Sequence, residues 1–207
     1  MADLASSMAR QLLGAAAAGV SDVVRRLPSD AADPLWRRPT PCSDWDVREL
    51  LNHLTAEHLW VPRLLDGQTL EQVGDQLDGD VLGQDPPAAW EEAITASLLA
   101  WAQVQDESVH IQMSSGPTTR HEYAQQMIVD LVVHGWDLGR ATGLPYEPVP
   151  EAVEEVLDYE RPRLGSGHGW PGIFERAVPV GSTATPLDLA VALTGRDPAW
   201  EPGTSRS

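Results

Sequence analysis

Asp130 and His134 stand four residues apart in QQMIVDLVVHGWDLGRATG, residues 125–143, a stretch that is otherwise mostly apolar. Tyr123, Met127, Asp130, His134 and Leu138 follow one another at helical spacing and share one face of a helix predicted over 119–141. The rest of that face is apolar, so it is expected to point into a core. An ionised carboxylate in a dry core is costly unless something compensates it. A divalent cation would do so, replacing the hydration lost by Asp130 and taking the lone pair of a neutral His134. An intrahelical hydrogen bond between the two residues is the competing explanation.

Two ligands do not make a site, so a third is expected from another helix. His53 is the candidate: it lies between Leu50 and Leu54, on the rim of the apolar stripe of its own helix. Glu57, one turn further on, is placed to orient His53 or to act as a general base beside the metal. Asp137 is placed to accept the other N–H of His134, unless it is simply solvated. Two histidines and one carboxylate leave a coordination position open, the pattern of sites that activate water or bind a substrate atom. The same set suits non-haem iron, so the donors alone do not select the metal.

The other polar candidates have plainer readings. His58 is expected at the surface or rim, and is the substitute for His53 if the register slips, or a fourth ligand that closes the site. His110 and His121 fall in or near a loop and are expected to be solvated. GHGWPG, residues 167–172, matches G-x-G-x-x-G, but no strand precedes it and Pro171 interrupts it, so a dinucleotide site is rejected. His168 within it is expected in a turn, with a place at a substrate entrance as the alternative. Cys42 has no basic neighbour in TPCSDWD to lower its pKa, which favours a structural role.

The elements that must position these residues are helical. A first helix is predicted over 3–27, followed by PSDAADPLWRRPTPCSD, whose four prolines mark a loop. Ser43 is the expected N-cap of a helix over 44–65, with Asp46 in a capping-box relation. Residues 66–87 are acidic and glycine-rich and are expected to be irregular, with at most a short helical turn. A helix over 87–105 follows, then SVHIQMSSGPT, an extended piece short of a full strand. Gly143 is the expected C-cap of the 119–141 helix. Shorter helices are expected in PVPEAVEEVLDYERPRL and PLDLAVALTGRDPAW, on either side of a loop-rich segment. The chain therefore predicts one all-α domain: a four-helix bundle core over 1–145 and a C-terminal extension over 146–207.

Composition limits the function. Fourteen basic against 31 acidic residues give a net charge of −17, which disfavours nucleic acid and anionic membrane surfaces as partners. No run approaches the roughly 18 apolar residues of a membrane span. LLGAAAAGV near the N-terminus superficially looks like a signal peptide, but its apolar spacing continues through Val23, Val24 and Leu27 as an amphipathic helix, so the expected location is cytoplasmic. The single cysteine precludes an intramolecular disulfide and fits a reducing compartment.

RRPTPCSDWDVRELLNHL, HEYAQQMIVDLVVHGWDLGRATG and the terminal LTGRDPAW resemble the actinobacterial branch of the DinB-like proteins, related to the N-terminal domain of mycothiol-dependent maleylpyruvate isomerase. The resemblance spans about residues 34–200. It implies a four-helix bundle holding one divalent metal, usually zinc or nickel, on His53, Asp130 and His134. Many relatives carry His or Glu where Asp130 stands; the shorter side chain places the metal closer to this helix or weakens its hold. The resemblance further implies a metal that binds and activates a low-molecular-weight thiol, mycothiol or a similar one, for transfer to or isomerisation of a small electrophilic substrate; Glu57, by its position beside His53, is the nearest candidate base. A metal-dependent hydrolase, and a non-catalytic metal-binding module that forms a homodimer through an apolar, tryptophan-rich face, are the rival expectations.

Overall fold

The computed structural model describes residues 2–114, 116–165 and 174–203, with the side chains of 2–8 left aside. Seven α-helices are found among these residues: α1 (Ala2–Val24), α2 (Val47–Leu65), α3 (Leu70–Val73), α4 (Pro86–Ala102), α5 (Arg120–Thr142), α6 (Pro150–Leu164) and α7 (Pro186–Leu193). The expected all-α architecture is present. α2 packs along α4 and α1 along α5, with α2–α5 and α1–α4 contacts closing the four-helix bundle, while α6 and α7 pack on each other and on α5. None of the described helices is long and apolar enough to cross a membrane.

Leu13, Val20, Leu50, Leu51, Leu54, Ile128 and Leu131 are fully buried in the bundle core. Each such side chain stabilises the fold by about 1.5–3 kcal/mol relative to exposure. The tryptophans serve this core: Trp36, Trp90 and Trp101 are almost wholly enclosed, and no described tryptophan is exposed. The large exposed apolar side chains are instead the separate Leu99, Val109 and Leu189.

Two local expectations need correction. The N-cap of α2 is Asp46, not Ser43. Asp46 accepts from the Glu49 backbone N–H, and the Glu49 carboxylate accepts from the Asp46 N–H, a reciprocal pair that satisfies two orphan donors of the first turn. The segment after α2 contains the short helical turn expected there, α3, capped by Thr69. The extended piece is a true antiparallel hairpin, β1 (His110–Met113) against β2 (Gly116–Thr119), with Ile111 and Thr118 buried.

Helix α5 starts at an N-cap, Thr119, whose hydroxyl accepts from the Glu122 N–H, and stops at Gly143, whose φ of 74° is the left-handed conformation expected of a C-cap glycine. Two further glycines shape its flank. A Cβ at Gly135 would meet the Tyr146 ring at 2.5 Å, and one at Gly139 would meet Tyr146 Cβ at 2.9 Å. Tyr146 therefore lies directly on the helix backbone, and its hydroxyl donates to the Leu131 carbonyl.

Candidate metal centre

α2 and α5 bring His53, Asp130 and His134 together, and one donor atom from each lies within 4.8 Å of the others. His53 Nε2 is 3.2 Å and His134 Nε2 3.4 Å from the same oxygen, Asp130 Oδ1. The face read from spacing is confirmed as buried: Tyr123, Met127, His134 and Leu138 are all enclosed, and Asp130 keeps about a fifth of its side chain exposed. Trp45, just before α2, stacks on His53 with ring centroids 4.4 Å apart and lies 5.5 Å from the His134 ring.

The proton on His134 can be placed. Its Nδ1 is 2.8 Å from Asp137 Oδ2, and Asp137 also accepts from Arg196 Nη2 at 3.2 Å. Asp137 is fully buried, which by itself raises its pKa, yet Arg196 and His134 together hold it below the ordinary carboxylate value. An ionised carboxylate only accepts, so Nδ1 carries the hydrogen. A neutral His134 then turns a bare lone pair toward Asp130 Oδ1, oxygen and nitrogen lone pairs facing each other at 3.4 Å. A cation between them, or a second proton on His134, removes that repulsion. The other oxygen, Asp130 Oδ2, is buried and has no hydrogen-bond partner among the described residues. A compact set of N, N and O donors with an orphaned carboxylate oxygen fits a divalent cation.

Charge follows the same geometry. Burial would raise the Asp130 pKa, but His53 and His134 bring it down to about 2. Burial would lower His53, but the adjoining Asp130 carboxylate leaves it above its ordinary value. Glu57 is raised, first by burial and then by the negative charge of Asp130. It acts on this group through charge, with no hydrogen bond to His53; the ring is oriented by Trp45 and Asp130 instead.

A cleft of about 860 Å³ opens over the three residues. Cys42, expected to be structural, lines it together with Trp45 and Arg196, to which the sequence assigns no role. Burial pushes the Cys42 thiol up to about 11, against the pull of Arg196, so it is a neutral wall of the cleft. The signal for Trp45 and Arg196 was present, since both fall in stretches that carry the family resemblance, but nothing local says that they meet across 151 positions of chain.

The remaining histidines separate clearly. His58 is not at the surface: it is fully enclosed, its Nδ1 2.9 Å from the Ser97 hydroxyl and its ring edge-on to Trp90. One residue beyond the turn that would place it with His53, it faces the core, where burial drops its pKa to about 4. It stands outside the three-residue group. His110 is exposed, whereas His121 lies 3.2 Å from the buried Glu107 rather than being freely solvated. His168 and the whole of GHGWPG lie outside the described residues.

Known proteins show the same arrangement of segments. The chain is 27% identical over 167 residues to uncharacterized protein Rv0738 of Mycobacterium tuberculosis strain H37Rv, covering 76% of this chain and 83% of the relative, and matches uncharacterized protein MT0763 of strain CDC 1551 equally. A crystal structure of a histidine-to-alanine mutant of the mycothiol-dependent maleylpyruvate isomerase shares the fold with a TM-score of 0.59 at 11% identity, over 78% of this chain and 72% of that one. The family model described as mycothiol maleylpyruvate isomerase N-terminal domain matches residues 13–139, more than half of the sequence and all of the segment from α2 to His134. The chain belongs to the mycothiol maleylpyruvate isomerase N-terminal domain family.

Proposed function

We propose that this protein is a divalent-metal enzyme in which His53, Asp130 and His134 hold the metal and a low-molecular-weight thiol of the mycothiol type is the cosubstrate. The observation that carries the reading is the pair of histidine nitrogens turned toward one carboxylate oxygen, at 3.2 and 3.4 Å, with the other oxygen buried and without a hydrogen-bond partner among the described residues. Zinc or nickel suits the donors. Two neutral histidines and one carboxylate leave a dication with a net charge of about +1, which lowers the pKa of a coordinating thiol.

The chain's own groups supply the rest. Asp137 holds the His134 hydrogen on Nδ1 and keeps Nε2 free. Trp45 covers one face of His53 and sheds water from that side of the cleft. Glu57, its affinity for protons raised by burial, takes the proton as the S–H bond breaks, and the sulfur lone pair forms the new bond to an electrophilic carbon, whose π pair shifts onto a conjugated carbonyl oxygen or whose leaving group departs with its bonding pair. Transfer or isomerisation follows according to whether the thiol is kept or released.

The test is metal content by elemental analysis of tag-free protein, followed by turnover of electrophiles with and without thiol. About one metal per chain, lost in Asp130→Ala, together with thiol-dependent turnover, is the expected result. A metal-replete protein that neither binds nor uses a thiol sinks the reading, and inhibition by thiols would mark a hydrolase instead.

A further inference from the structure

A second cleft, of about 510 Å³, shares a wall with the first: Trp45 and His53 line both. Its other principal side chains are Arg37, Arg48, Glu49, Asn52 and Asp80. Two guanidinium groups face two carboxylates, so a charged ligand gains little net attraction there. What such a wall offers is a set of alternating donors and acceptors beside an indole ring. That combination matches a neutral molecule rich in hydroxyls, which donate and accept at every position and present C–H faces to an aromatic surface.

Two details show which groups are available. Asn52 is committed to structure: its amide donates to the Gly79 carbonyl and accepts from the Val81 N–H, which ties the 79–81 segment to α2. Arg48 is only half committed. Its Nη2 donates to Asp80 and to the Gly83 carbonyl, but Nη1 is buried with no partner among the described residues. A buried donor without an acceptor destabilises the free protein, and an arriving hydroxyl oxygen relieves it. Asp80, more than half exposed and paired with Arg48, and Arg37, 74% exposed and paired through Nη1 with Asp46, stand at the rim, where their remaining hydrogen-bonding positions face solvent and can meet a ligand.

We infer that this smaller cleft binds the hydroxyl-rich part of the thiol, leaving the larger cleft beside Cys42 and Arg196 to the electrophile. The inference rests on the thiol reading above for the identity of the ligand. His53, which lines both clefts together with Trp45, then stands where the sulfur end and the polar remainder divide.

The experiment uses zinc-loaded, full-length protein and two probes measured by ligand-observed NMR titration. N-acetylglucosaminyl-inositol represents the neutral, sulfur-free part of mycothiol; N-acetylcysteine represents the thiol end alone. The sugar probe is expected to bind wild type, to bind Arg48→Met on the order of tenfold more weakly, and to lose a smaller factor in Arg37→Ala. Zinc content and N-acetylcysteine binding are expected to stay unchanged in both variants. Absence of sugar binding to wild type, or equal binding to well-folded, zinc-replete variants, overturns the inference. Arg37→Ala alters an exposed side chain and keeps the test decisive if Arg48→Met does not fold. Sugar binding that depends on Arg48 while neither N-acetylcysteine nor mycothiol binds would refute the thiol reading and leave the subsite standing.

Discussion

The protein buries two carboxylates beside histidines and treats them differently. Glu107, between α4 and β1, lies 2.8 Å from the guanidinium of Arg10 and 3.2 Å from His121, so a permanent cation neutralises it. Among the described residues Asp130 is ion-paired with His53 and His134 and with no arginine, and one of its oxygens has no hydrogen-bond partner there. Arginine stays charged at every working pH, whereas histidine lends a positive charge only when protonated. The first site is neutralised within the fold and joins α1 to the start of α5, although Glu107 Oε1 and Arg10 Nε meet as an ion pair outside hydrogen-bond geometry. The second is electrostatically unfinished above neutral pH, and that is the condition under which a metal ion binds well.

The difference can be abolished. His53→Arg gives Asp130 the permanent cation that Glu107 already has. Metal affinity, measured by competition with a chelator, is expected to fall by more than the ~100-fold that marks loss of an outer partner, with the melting temperature largely kept. Retained metal binding would mean that His53 is not a ligand. The converse change, Glu107→Gln, is expected to lower stability by about 1–3 kcal/mol in denaturant titration, a buried pair being broken with one partner still partly in water. Metal content should not move, and a parallel loss of metal would contradict the separation of the two sites.

Asp137→Asn tests the support behind His134. It removes the charge that faces Arg196 and allows the wrong His134 tautomer, and it is expected to weaken metal binding about tenfold. An unchanged affinity would show that the tautomer is set elsewhere. The smallest effect is the pH response. His53, raised in the folded state, contributes stability that is fully present below pH 6.5 and lost as the pH climbs through its elevated value. Asp130, held at about 2, contributes stability present above 3.8 and lost only in strong acid. Metal-free protein should therefore lose a little stability between pH 6 and 8. Added zinc, which takes the deprotonated imidazoles, should raise the melting temperature more at pH 8 than at pH 6, with about 2–4 °C for each kcal/mol in a chain of this length. The reverse order would place the metal away from these histidines.

Much of this was legible in the residues. The 3, 4 spacing from Tyr123 to Leu138 gave the buried face of α5, because helical period and apolar pattern agree there and no proline or glycine interrupts the stripe. The spacing leaves Asp137 either bonded to His134 or solvated, and its burial with a 2.8 Å contact to Nδ1 decides for the first. His58 was misplaced because α2 carries apolar residues on more than half of its circumference, so a rim position and a core position differ by one residue. The N-cap of α2 was set three residues early, since Ser43 and Asp46 both satisfy the local chemistry and only the reciprocal bond with Glu49 decides. Trp45 and Arg196 could not be read as partners of the site at all. Both lie in loops, Trp45 just before α2 and Arg196 59 positions beyond its partner Asp137, and periodicity is silent about loops.

Two of the three proposed ligands ride on α5, and a helix can err by rolling, sliding or tilting. The contact between Tyr146 and the bare backbone at Gly135 and Gly139 blocks the first two, because either motion drives the ring against main-chain atoms or lifts it from its notch. The ligands are thus aligned from behind, by a side chain that never enters the cleft. In a machinist's terms Tyr146 is the datum from which Asp130 and His134 are measured, and the tolerance of the working face is set by the flatness of the surface it rests on. A single methyl group added at Gly135 would be felt at the opening, in every dimension that matters there, before any residue of the cleft itself had changed.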